Sequence, residues 1–132
     1  MTGLAKRELD DLAHQLRQSR NALRGLVLEK VKAMDEENYN KLAGQVHDRG
    51  EESVATLLSE INISFINKEV AELGEIEDAL ARIRNNQYGH CEECAAAIPL
   101  GRLQANPLAR RCLACQQKME DLYGAKDATP TL

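Results

Sequence analysis

Two cysteine pairs constrain this chain more than any other feature of it. Cys91-Glu-Glu-Cys94 and Cys112-Leu-Ala-Cys115 are separated by seventeen residues, and the chain has no further cysteine. Each C-x2-C pair puts two thiolates on one tight knuckle, and two knuckles complete a tetrahedron around Zn²⁺. Four sulfur ligands leave no open coordination position for a reactive water, so the array predicts one structural zinc rather than a catalytic one. In a reducing compartment such a cluster serves as a metal site rather than as disulfides. A thioredoxin-like role for either pair would need a strand-to-helix turn, which the local pattern lacks. His90, beside Cys91, reads as an exposed loop residue, and His14 and His47 are unclustered.

Upstream of the cysteines, the apolar residues recur at steps of three and four. One stripe runs through Leu9, Leu12, Leu16, Leu23, Val27, Val31 and Met34; a second runs through Val54, Leu58, Ile61, Phe65, Ile66, Val70, Leu73, Ile76, Leu80 and Ile83. Repeats this long predict two helices, over about 4–43 and 51–86, packed along a coiled-coil-like seam. Neither contains Pro, and Gly25 and Gly74 inside them cost roughly 1 kcal/mol each against Ala. Leu57 and Ile63 fall off the seam and are available to pack elsewhere. The short link between the helices carries Gly44 and Gly50 as turn signals and forces an antiparallel arrangement. At 1.5 Å per residue each arm would be roughly 55–60 Å long.

The expected fold class is therefore mainly α. Residues 1–87 form a long antiparallel helical hairpin with its tip at about 44–53. Residues 88–123 form a small four-cysteine zinc finger with a short final helix from about Arg111, and 124–132 are a loose tail. Aromatic residues make up only 3% of the chain, with no Trp, which suits a helical seam better than a compact core. The net charge of −4 argues against a partner held mainly through phosphates. No early apolar run reads as a signal peptide and no stretch approaches a membrane span, so a cytoplasmic protein is expected.

The segment Tyr88-Gly-His-Cys91-Glu-Glu-Cys94, Ile98-Pro99, Arg102-Leu103-Gln-Ala105-Asn-Pro107 and Cys112-Leu-Ala-Cys115-Gln116 resembles the zinc finger of the DksA/TraR family. With the helices before it, the resemblance covers about residues 5–122. It implies a non-enzymatic transcription regulator that binds bacterial RNA polymerase. The hairpin would enter the secondary channel and alter promoter-complex stability, without sequence-specific DNA contact.

The family's tip pattern, Asp-x-x-Asp-x-Ala, falls by gapless counting from Cys91 on Asp48-Arg-Gly-Glu51-Glu52-Ser53. Acidity is kept at both acidic positions, while Ser53 replaces Ala. The resemblance thus makes Asp48, Glu51 and Ser53 the polymerase-directed tip. Asp48 and Glu51 also have the spacing of a helix capping box, and the two roles are compatible. Where guanosine tetraphosphate-responsive members carry a basic pocket, counting places Glu75, Asn106 and Gln116. A tetraphosphate needs concentrated positive charge, so these residues argue against a response to that nucleotide.

Arg110 and Arg111 would either offset the charge of a four-thiolate zinc centre or contact polymerase. Two other classes of function fit the same residues. One is a zinc-ribbon and coiled-coil adaptor between proteins; the other is a thiol-based redox or zinc sensor. No nucleophile–base pair, phosphate loop or open metal site points to an enzyme.

Overall fold

The computed structural model of the chain describes residues 4–34, 36–50, 52–61 and 66–124. It is mainly helical: α1 (Lys6–Met34), α2 (Glu36–Arg49), α3 (Ala55–Ile61), α4 (Asn67–Arg84), α5 (Leu100–Ala105) and α6 (Leu113–Met119). A single π-helical turn over Glu120–Gly124 extends α6. The long α1 packs antiparallel against α4, which is the hairpin expected from the two apolar stripes. The ion pairs Arg24–Glu77 and Lys30–Glu69 cross between them. Lys30 holds the Glu69 carboxyl below its ordinary pKa by hydrogen-bonding to the charged form.

The connection between α1 and α4 differs from the expected single short link. The first apolar stripe lies wholly in α1, but the helix expected over about 4–43 is divided between α1 and α2, and α2 doubles back along α1. Val27 and Val31 share one core with Leu42 and Val46. Arg24 Nη1 donates to the Gly50 carbonyl at 2.9 Å, whereas an unbroken helix would hold these residues roughly 39 Å apart. Lys32 lies 5.4 Å from the ring centroid of Tyr39 across the same bend. From Gly50 the chain turns again, and α3 runs back out along α4, with Ala55 Cβ 3.5 Å from where a Cβ on Gly74 would stand.

Of the two glycines read as turn signals, Gly44 sits inside α2 and only Gly50 makes a turn, with φ +56°. A left-handed residue just past a helix end is most easily glycine. Arms of 55–60 Å are accordingly not formed; α1, with 29 residues, is roughly 44 Å long.

Two apolar cores result. The distal one joins all four long-hairpin elements through Val27, Val31, Leu42, Val46, Val54, Leu57, Leu58, Ile66, Val70 and Leu73. Leu57, off the seam by periodicity, is buried here, within the core that α3 shares with α4. Ile63 and Phe65 lie outside the described residues. Each Val or Leu removed from water contributes about 1.5–3 kcal/mol, so this core holds the doubled-back arrangement together.

The proximal core contains Leu12, Leu16, Ile76, Ala79 and Leu80 from α1 and α4, and Tyr88, Cys91, Ile98, Leu103 and Ala109 from the cysteine-bearing segment. Helix and metal site are thereby one packed body. Helix α4 ends at Arg84, and Asn86 takes a left-handed φ of 59°, which Asn tolerates better than most residues.

Candidate metal centre and hairpin end

The first knuckle is shaped by its backbone. Cys91 N–H donates to Ala96 O, and Ala95 N–H returns to Cys91 O at 2.9 Å. Ala95 takes φ +65° to close this loop. Gly89, at φ +87°, lies where a Cβ would come within 3.1 Å of Leu4 Cδ1, so the approach to the knuckle admits glycine alone without strain. The second knuckle opens α6, with Cys112 preceding the helix and Gln116 N–H closing on Cys112 O. Glu92 N–H donates to Arg110 O at 2.8 Å and stitches the two knuckles together.

This brings Cys91, Cys94, Cys112 and Cys115 together, with all four sulfurs within 4.8 Å of one another. Cys94 Sγ and Cys112 Sγ are 3.8 Å apart. A tetrahedron with Zn–S bonds of about 2.3 Å has edges of about 3.8 Å, so the sulfur cage fits the metal. Cys91 is buried while Cys94 is exposed, and none is in a disulfide.

Burial works against ionisation of the Cys91 thiol. Backbone groups of Cys112, Cys94 and Glu93 outweigh it and bring the thiol to about 6. Cys115, crowded by the sulfurs of Cys112 and Cys91, is pushed up to about 12. A metal entering this cage therefore finds one thiolate ready and must displace a proton from its neighbour.

The centre is clamped to the hairpin by residues that sequence reasoning assigned otherwise. Arg110, read as a charge offset or a partner contact, binds Asp78 of α4 at 2.6 Å. Arg111 bridges to Glu92 at 2.8 Å within the first knuckle. Arg102 Nε donates to Arg111 O at 2.9 Å. Tyr88 is 2% exposed, its hydroxyl donates to Pro107 O at 2.7 Å, and burial pushes its pKa up to about 12. His90 is half-buried rather than exposed, its backbone bridged to Ala97, and it does not join the sulfur cluster. Glu75, Asn106 and Gln116 do line one shallow pocket, together with Arg102, Arg110 and Arg111.

Away from the metal centre, beside the middle of α1, Asp48 is exposed in the last turn of α2. It is not the cap of the following helix. The capping role for α3 falls to Ser53 and Glu77, a pairing invisible in local sequence because Glu77 lies more than twenty residues away. The Glu77 carboxylate accepts from Ser53 Oγ at 3.0 Å, from Val54 N–H at 2.9 Å and from Ala55 N–H at 3.1 Å. Glu51 lies outside the described residues.

Residues 86–121 match the prokaryotic dksA/traR C4-type zinc finger. A protein of Escherichia phage P2, described as an uncharacterized 8.2 kDa protein, is 41% identical over 61 residues, which are 45% of this chain and 82% of that protein. The chain belongs to the DksA/TraR C4-type zinc-finger family. One structural zinc held by the four cysteines comes with that membership, and with its family the chain is non-enzymatic.

An uncharacterized Aquifex aeolicus protein is 40% identical over 65 residues, or 49% of this chain, and the match spans 45% of that protein. The RNA polymerase-binding transcription factor DksA of Caulobacter vibrioides is 38% identical over 48 residues, 36% of this chain and 34% of that one. The solved structure of transcription factor DksA2 from Pseudomonas aeruginosa shares the fold, with a TM-score of 0.58 at 21% identity over 88% of this chain and 85% of that one. Among the described residues no helix is long and apolar enough to cross a membrane.

Proposed function

We propose that this protein is a bacterial transcription regulator that binds RNA polymerase, with its hairpin entering the secondary channel to change promoter-complex stability. The observation that carries the reading is a zinc centre packed into the same core as the base of a helical hairpin, in a chain of the DksA/TraR family. Such a base holds a helical probe at a set angle to whatever the zinc module docks on. The net charge of −4 suits a protein partner better than a nucleic acid, and sequence-specific DNA contact is not part of the reading. The cytoplasm is where such a partner resides.

In this reading residues 1–87 are the probe, 88–123 the docking module, and 124–132 the tail. Cys91, Cys94, Cys112 and Cys115 hold the zinc, and Asp48, Glu51 and Ser53 are the polymerase-directed group. The same reading assigns no tetraphosphate to the pocket at the base: Glu75 and Glu120 line it beside its arginines, and Arg110 and Arg111 are paired with carboxylates.

Co-precipitation with core RNA polymerase at micromolar protein tests the partner. Transcription in vitro with an Asp48→Asn, Glu51→Gln double variant tests the acidic group; equal effects of variant and wild type would remove that assignment. An adaptor between other proteins is the second reading. Leu113, Leu122 and Tyr123 of the final helix, each more than half exposed, favour it by offering apolar side chains to a partner. Failure to capture polymerase, with retained binding of another protein through that face, would select it.

A further inference from the structure

The ion pairs between α1 and α4 define a register. Lys30 meets Glu69 and Arg24 meets Glu77, and the midpoints of both pairs fall in the chain within about half a residue of Gly50. Val27 and Leu73, and Val31 and Val70, have the same symmetry and share the distal core. Continued past Met34, this register would set Leu42 opposite Leu58 and Val46 opposite Val54, with Gly50 at the turn. All four of those residues are apolar, and all four are buried in the doubled-back form. The sequence has neither Pro nor Gly between Met34 and Glu36 or between Ile61 and Ile66, so nothing in it bars a continuous helix there. One sequence thus carries two compatible registers for α2 and α3: folded against α1 and α4, or paired with each other beyond them.

What distinguishes the folded form is a polar knot at the level of Arg24 and Glu77. Arg24 Nη1 donates to Gly50 O at 2.9 Å and Nη2 to Glu52 O at 3.1 Å. Glu77 accepts from Ser53 Oγ, Val54 N–H and Ala55 N–H. Opening would break every one of these contacts yet leave the Arg24–Glu77 pair intact, because that pair belongs to the register shared by both forms. Arg24 Nε is buried with no hydrogen-bond partner. The knot therefore leaves one buried donor unsatisfied in the folded form.

We propose that the doubled-back end is a latched form of a hairpin that opens to a longer one, with Arg24 and Glu77 as the latch on Gly50, Glu52, Ser53, Val54 and Ala55. In the latched form α1 reaches roughly 15 Å beyond Arg24; open, the turn at Gly50 stands roughly 39 Å beyond it. Latching keeps Asp48 and Ser53 beside the middle of the rod, and opening carries them to its end. A partner with a deep, narrow channel binds the open form selectively, and its differential affinity shifts the population. The purpose of the switch rests on the polymerase reading, but its existence does not.

The test reads distance in the zinc-loaded full chain without polymerase. Spin labels are attached through a genetically encoded ketone amino acid at Gln18 and Gln45, both exposed, so that the zinc cysteines stay untouched. Double electron–electron resonance then separates a latched spacing of roughly 18 Å from an open one of roughly 40 Å. Wild type is expected to show mainly the short distance. Glu77→Gln, and Arg24→Lys, which keeps the charge but cannot span both carbonyls, are expected to raise the ratio of long to short at least tenfold. Helical circular dichroism and one zinc per chain serve as the check on folding. Should Glu77→Gln lose helicity, Arg24→Lys alone decides. A short distance unchanged in the folded variants overturns the latch, and so does a wild type already dominated by the long one. Loss of polymerase binding with both distances as expected would overturn the functional reading alone.

Discussion

Arg24 Nη2 stands 3.2 Å from Glu77 Oε2, with side chains only 11% and 9% exposed, in the wall between the arms of the hairpin. A buried ion pair is weak evidence of net stability, because desolvation offsets much of the attraction. Removing one partner is another matter, since it leaves a charge buried and unpaired. Glu77→Ala also strips the N–H groups of Val54 and Ala55 of their acceptor. It is expected to cost about 3–5 kcal/mol, read as a lower midpoint in urea. A loss under 1 kcal/mol would show that water replaces the carboxylate freely.

The glycines separate by backbone angle. Gly25 sits in α1 with nothing within 4 Å of a Cβ placed on it, and its φ is ordinary for a helix. Gly25→Ala should raise stability by about 1 kcal/mol through helix propensity. Gly50, at φ +56°, has as much open space. There Ala should lower stability by about 1 kcal/mol, because its Cβ meets the backbone in the left-handed region. Thermal unfolding of both variants checks the pair, and shifts of the same sign would contradict the assigned turn.

Zinc should hold the base of the hairpin together. Chelation, or Cys112→Ser, is expected to unfold the segment around the two knuckles and to expose the buried Tyr88 that packs against Cys91. With Cys91 at about 6 and Cys115 at about 12, binding at pH 7 should release fewer than four protons. Calorimetry in buffers of different ionisation enthalpy measures that number. Affinity should fall as pH is lowered, since protons compete for the sulfurs.

Tyr88 supplies an alkaline limit. Its pKa is about 12 in the fold against an ordinary 10.0, raised by burial, so the folded state favours the neutral phenol. That contribution is complete below pH 10.0 and is lost as pH rises toward about 12. Tyr88→Phe should remove this part of the alkaline destabilisation and, at neutral pH, cost about 1 kcal/mol for the lost bond to Pro107 O. Urea titrations from neutral pH to about 11 compare the two.

Much of the metal site was legible because its information is local. Ligand identity, the C-x2-C spacing and the closed coordination set follow from residues close together in the chain, and the structure brings those four sulfurs within 4.8 Å. The partners that brace the site were not legible. Arg110 finds Asp78 thirty-two residues earlier, and no spacing rule connects them. The capping reading of Asp48 failed in the same way. An acceptor from a distant helix, Glu77, competes for the start of α3 and wins through tertiary contact.

The apolar stripes determined that this chain forms long amphipathic helices, the short link between them that they lie antiparallel, and the cysteine spacing that a four-cysteine zinc module follows. They could not decide how far the hairpin reaches. A heptad-like stripe says which face of a helix is apolar and leaves open which other apolar face covers it. Val46 can lie against Val54 at the end of a long hairpin or against Val27 in a folded one, and hydrophobic burial is non-directional. Only the tertiary structure selects, through the directional contacts of Arg24 with Gly50 and Glu52 and of Glu77 with Ser53, Val54 and Ala55.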